Sequence, residues 1–157
     1  MSRQLKNLMT SFLFLLISQA SFASQDRLEQ IQLDISDTLT QLLQNPMSNS
    51  HRLQLITQNK SEAESQIRDL IMNNMANPSD LSNPKSALSR AFRAIDGLTI
   101  LSEVQLVAGT EIASRASCGR ALSMLTISST SPQSDTIDFS ALDQSARRLL
   151  TLLCKTN

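Results

Sequence analysis

The chain has 157 residues and carries 14 basic against 14 acidic side chains, so no net positive charge is available to neutralise a phosphate backbone. It holds five Phe and no Trp or Tyr, which removes the ring platforms that bases and sugars stack on. Nucleic acid and carbohydrate stacking are thereby disfavoured as the main business of the protein, and the length suits one domain with a modest core.

Met1 to Ala23 reads as a cleavable secretory signal peptide. Arg3 and Lys6 form a positive start, and Leu8, Met9 and the run Phe12 to Ile17 form the apolar middle. Ser21-Phe22-Ala23 places small residues at −3 and −1 of a cut after Ala23. The apolar run is about half of the ~20 residues a spanning helix needs, so no stable membrane anchor is expected after cleavage. With no cysteine near the cut, a lipid anchor is not expected either. The expected location is periplasmic or secreted. Cleavage removes Arg3, Lys6 and three of the Phe, leaving 12 basic residues, 14 acidic ones, Phe92 and Phe139 in 24–157, read as a single all-helical domain.

Cys118 and Cys154 are the two cysteines. In an oxidising compartment they allow one intramolecular disulfide, which would stabilise the fold by roughly 3–4 kcal/mol through chain entropy. Two free thiols or a bridge between chains are the alternatives.

From Asp26 to Gln44, Leu28, Ile31, Ile35, Leu39 and Leu42 recur at helical spacing, and Asn45-Pro46 stops the pattern. A second helix starts near Ser50, with Leu53, Ile56, Ala63, Ile67, Leu70 and Ile71 on one face, and ends before Asn77-Pro78. Glu64 and Arg68 stand in the favourable order for an i, i+4 pair. Pro78 to Asn83 is a connector, and Asn83 with Pro84 has the form of an N-cap followed by a first helical residue.

Pro84 to Ile127 divides into one bent helix or two. Leu88, Ala91 or Phe92, Ile95 and Leu98 form one stripe, while Leu101, Val104, Ala108, Ile112 and Ala116 form a continuation. Gly97 and Gly109 are the candidate breaks, and Ser102 with Gln105 matches a capping box that would open a new helix. The small residues Ala113, Ser114, Ala116, Ser117, Gly119 and Ala121 imply close helix approach around Cys118. Ser128 to Asp138 reads as a loop from its Ser, Thr, Pro and Asp content. The last helix spans Ser140 to Lys155, burying Leu142, Ala146, Leu149, Leu150 and Leu153, with Ser140 and Asp143 as a capping pair. Period-two alternation is all but missing, so the fold class is all-α, an antiparallel bundle of four or five helices.

A search for chemistry finds no phosphate loop, zinc-helix motif, C-x-x-C pair or nucleophile elbow. His51 is the single histidine, beside Asn49, Ser50 and Arg52, in a place suited to an exposed polar residue. Asp34 with Asp37, and Asp135 with Asp138, are paired acids that matter only where a pocket separates their pKa values. Met47, Met72 and Met75 with His51 are the candidate soft-metal ligands, since thioethers select Cu(I). Methionine more often fills core gaps, and neither metal nor cofactor is taken as expected. Lys85, Arg90 and Arg93 make one basic cluster; Arg115, Arg120, Arg147 and Arg148 would make another if the last helix docks near Cys118. Asn59-Lys60-Ser61 matches a glycosylation acceptor.

The expected function is therefore non-catalytic: an exported helical protein acting on a protein partner, as an envelope accessory or inhibitor. A carrier of a small apolar ligand or soft metal, and an enzyme with a dispersed site, are the alternatives.

Overall fold

The computed structural model describes the backbone of residues 3–128 and 139–155, and the side chains of residues 23–126 and 142–155. Its described residues form a helical bundle: α1 (Arg3–Gln44), α2 (Asn49–Met72), a 3-10 turn (Pro78–Ser82), α3 (Ala87–Ser102), α4 (Arg115–Ser128) and α5 (Phe139–Leu153). Among them there is no strand, the one β-type feature being an isolated bridge between Leu106 and Ala113. No helix among the described residues is long and apolar enough to cross a membrane.

The helix expected from Asp26 extends back to Arg3. Neither glycine nor proline occurs before Pro46, so nothing in the chain interrupts it. Leu28, Ile31, Ile35, Leu39 and Leu42 are all buried, as their spacing requires. Pro46 then disfavours helical geometry at Asn45. Arg52 covers the exposed end of α1, its guanidinium donating to the carbonyls of Leu42 at 3.3 Å and Asn45 at 3.5 Å. A cation there also meets the negative end of the helix dipole.

Ser48 caps α2 by accepting the His51 amide at 3.2 Å. The helix runs antiparallel to α1, with the Thr38 hydroxyl donating to the Asn59 side chain at 3.2 Å across the interface. Glu64 pairs back to Lys60 at 3.6 Å, so its expected partner Arg68 does not hold it. α2 stops at Met72, short of Asn77-Pro78, because Asn74 takes a left-handed φ of 54°. The amides of Met75 and Asn74 then donate to the carbonyls of Leu70 (2.8 Å) and Ile71 (3.0 Å), which closes a Schellman motif.

The cap of α3 is Ser86, which accepts the Ser89 amide at 3.0 Å; Asn83 instead accepts the Lys85 amide at 3.0 Å in the turn before it. The expected Asn83-Pro84 start is thus three residues early. α3 is the central helix and packs on α1, α2, α4 and α5. It buries Leu88, Ser89, Ala91, Ala94, Ile95, Leu98, Ile100 and Leu101, nearly its whole circumference. Gly97 lies within it and breaks nothing.

Two helices, not one bent helix, occupy Pro84 to Ile127. The Ser102–Gln105 capping box does not start the second: Ser102 ends α3 and its hydroxyl donates to the Thr99 carbonyl at 2.7 Å. A hairpin-like loop follows, with the Val107 amide donating to the Ile112 carbonyl at 2.8 Å and the Ser114 amide to the Gln105 carbonyl at 2.6 Å. Gly109 sits at its tip with φ +75°, as the third residue of a turn closed by Thr110 N–H on the Val107 carbonyl at 3.0 Å. The expected stripe through Ala108, Ile112 and Ala116 therefore dissolves; Ile112 is 57% exposed. The buried positions are Val104, Ala113, Ser117, Ala121 and Leu125.

Residues 129–138, the expected loop with Asp135 and Asp138, lie outside the described residues. α5 begins at Phe139, which puts Ser140 inside the first turn and not at the cap. Asp143 accepts Arg147 Nε at 2.8 Å. Ala146, Leu149, Leu150 and Leu153 are buried, and Leu142 packs against the core.

Candidate functional site

At one end of the bundle four segments meet: the start of α2, the 103–114 loop, the first turn of α4 and the last turn of α5. Cys118 and Cys154 are joined there as a disulfide with Cα atoms 5.8 Å apart, within the range a bridge requires. Backbone bonds place both cysteines, Cys118 N–H donating to the Ser114 carbonyl at 3.0 Å and Cys154 N–H to the Leu150 carbonyl at 2.9 Å. Of the small-residue stretch expected to allow close approach, Ala113, Ser117 and Ala121 are buried, whereas Ala116 and Gly119 are exposed and a Cβ on Gly119 would meet no other group. Ser117 is wholly buried and its hydroxyl accepts the Gln105 amide at 3.0 Å while its oxygen lies 2.9 Å from the Ser114 carbonyl, to which it donates.

The same end holds a carboxylate over a helix N-terminus. Glu111 accepts the Ser50 amide at 2.9 Å and the Ser50 hydroxyl at 2.7 Å, while the Asn49 side chain donates to the Glu111 carbonyl at 2.9 Å. The hydrogen bonds from the Ser50 hydroxyl and then its amide hold the Glu111 carboxyl below its ordinary value. The Asn49 amide nitrogen also lies 3.5 Å from the Leu153 carbonyl, and Arg52 donates to Asn49 Oδ1 at 3.2 Å. Glu111 lies 61 residues from Ser50 and 62 from Asn49 in the chain, so periodicity could not pair them. The only available signal was Ser48-Asn49-Ser50, a run of helix-capping residue types.

The other sequence candidates are dispersed. Met47 packs against the core near exposed His51 at the start of α2, whereas Met72, 75% exposed, ends that helix and Met75 lies beyond it. His51 and Met72 stand near opposite ends of the 24-residue α2, roughly 30 Å apart at ~1.5 Å per residue, so the two pairs share no site. Among the described residues no group of three His, Cys, Asp or Glu could hold a metal ion. Asp34 and Asp37 are both exposed, and Asp34 accepts the Gln30 amide at 2.7 Å. Asn59 faces α1 and its amide nitrogen donates to the Leu55 carbonyl at 2.8 Å, an engaged geometry for a glycosylation acceptor.

The two basic clusters are engaged only in part. Arg90 pairs with Glu29 at 3.1 Å and donates to the Lys85 carbonyl at 2.8 Å, and Arg93 lies beside Asp96. Arg147 reaches Asp143 and the Leu125 carbonyl, the latter at 3.2 Å, which ties α5 to α4. Arg115, Arg120 and Arg148 are exposed. Partial burial, which penalises the charged form, raises the Asp96 carboxyl above its ordinary value, with the Arg93 charge opposing the rise.

A cleft between α1 and α2, lined by Ile31, Asp34, Ile35, Asn59, Glu62, Ala63 and Gln66, has a volume of about 90 Å³. Small-molecule sites occupy roughly 300–1,000 Å³. Exposed large apolar side chains concentrate elsewhere: of Leu33, Met72, Leu81, Val107, Ile112, Leu122 and Met124, four belong to the loop and α4. No protein-family model, curated protein or solved structure matches the chain.

Proposed function

We propose that this is an exported, non-catalytic helical protein of the periplasm or extracellular space that acts by binding another protein. The observation that carries the reading is the set Val107, Ile112, Leu122 and Met124, large apolar groups left in water along one stretch of chain. Scattered single apolar groups need no partner and a contiguous exposed patch marks an interaction surface; four of the seven exposed large apolar groups among the described residues fall in this one loop and helix, which supports a docking face there. The carrier alternative has less to stand on, since the α1–α2 cleft is small with four of its seven lining residues polar, and the larger groove beside Leu53, Thr57 and Ser61 lies open to water along α2 alone.

Crosslinking in the native envelope, followed by pull-down of the chain, tests the reading. The parent should recover a specific partner at native expression, and Val107→Ser with Ile112→Ser and Leu122→Ser should lose it while remaining folded. Recovery of no partner by the parent, or of the same partner by the variant, would overturn it.

A further inference from the structure

α4 is thinly attached. Of its side chains up to Thr126, only Ser117, Ala121 and Leu125 are buried, so one large apolar group enters the core. α3, by contrast, buries eight residues. Leu122 and Met124 face water from the flanks of the buried stripe. A helix of 14 residues is marginal in water without packing, so α4 depends on its ties to the rest of the fold.

Those ties are few in kind. Within the unit Ser117 joins α4 to Gln105; across its boundary Arg147 reaches the Leu125 carbonyl, Glu111 fixes the loop to α2, and Ala113, Ala121 and Leu125 enter the core. The Arg147 and Glu111 contacts are polar ones that water can replace. The Cys118–Cys154 bond is the covalent one, and both cysteines are only half-buried, so a small reductant has access.

We propose that this disulfide is a redox clasp over a locally releasable unit. Closed, it holds residues 105–126 against α5; opened, it frees them while α1, α2, α3 and α5 remain packed. The reasons for a local and not a global release lie in the core. Leu39, Ile56, Leu98, Leu101 and Leu149 are all fully buried and sit on the four helices that stay. Cooperative units that bury little apolar surface open well below the free energy of global unfolding.

Opening requires an external dithiol. One of its thiolates attacks a protein sulfur and forms a mixed disulfide; its second thiolate then closes onto the first. The S–S bond between Cys118 and Cys154 breaks, both sulfurs take up a proton, and the reductant leaves as a disulfide carrying the oxidation. The clasp works whether or not a partner binds at the loop and α4.

Hydrogen exchange read by mass spectrometry on the full oxidised chain, before and after dithiothreitol, tests this. Once reduced, amides of 115–126 should exchange ~10-fold or more faster than those of 28–42 and 88–101, which stay protected up to global unfolding. The Cys118→Ser/Cys154→Ser variant should repeat the pattern without reductant. Unchanged rates in α4, or exchange of α1 and α3 at the same rate as α4 in either sample, would overturn the proposal.

Discussion

A carboxylate seated over the first turn of α2 makes Glu111 a pH-dependent tie. Its folded pKa is depressed by the Ser50 hydroxyl and amide. The stabilisation is therefore present above the unfolded carboxyl value of 4.5 and is lost as pH falls through the lower folded one. Asp96 has the opposite sign, because its raised folded pKa penalises the charged form. Its contribution is present below 3.8 and is lost as pH rises through the raised value. Urea unfolding of Glu111→Gln should show a deficit against the parent at pH 7 that closes by about pH 3. Asp96→Asn should be more stable than the parent at pH 7, with the difference shrinking in acid. A Glu111→Gln deficit that grew on acidification would contradict the assigned capping.

At the scale of elements, α1, the body of α2, α3 and α5 were legible because each writes its buried face at helical spacing. Leu28 to Leu42 and Ala146 to Leu153 pack where their periods place them. The caps were less legible. Ser86 displaced Asn83, since a capping residue is chosen by where tertiary packing lets the helix begin, and several polar residues stood in the window. The loop after Ser102 was misread because Leu101, Val104, Ala108, Ile112 and Ala116 fit a helical period by chance; Gly109 with φ +75° marks where the backbone departs. Leu98→Ala in α3 should cost about 2–5 kcal/mol in urea unfolding, whereas Leu122→Ala on α4 should stay within about 0.5 kcal/mol. Ser86→Ala should cost about 1 kcal/mol through loss of the α3 cap. Equal effects at Leu98 and Leu122 would contradict the contrast between a central and a thinly attached helix.

The whole molecule is a helical bundle whose last two helices are joined by one covalent bond. The two cysteines stood out in the sequence, being a lone pair in a chain read as exported. The junction around them did not, because Glu111, Ser50, Asn49 and Leu153 are brought together by the fold and not by spacing. The bond closes a segment 36 residues long, and chain entropy assigns it up to roughly 3–4 kcal/mol. Reduction should therefore lower the urea midpoint of the whole chain as well as loosen α4. Under the proposed function, the chain would leave the reducing cytosol and close its bond before it binds a partner. Intact-mass analysis of the chain isolated from the export compartment, with thiols blocked at lysis, tests that account most directly. The predicted species begins at Ser24 and takes up no thiol reagent until reduced; a species beginning at Met1 with both cysteines alkylated would contradict it.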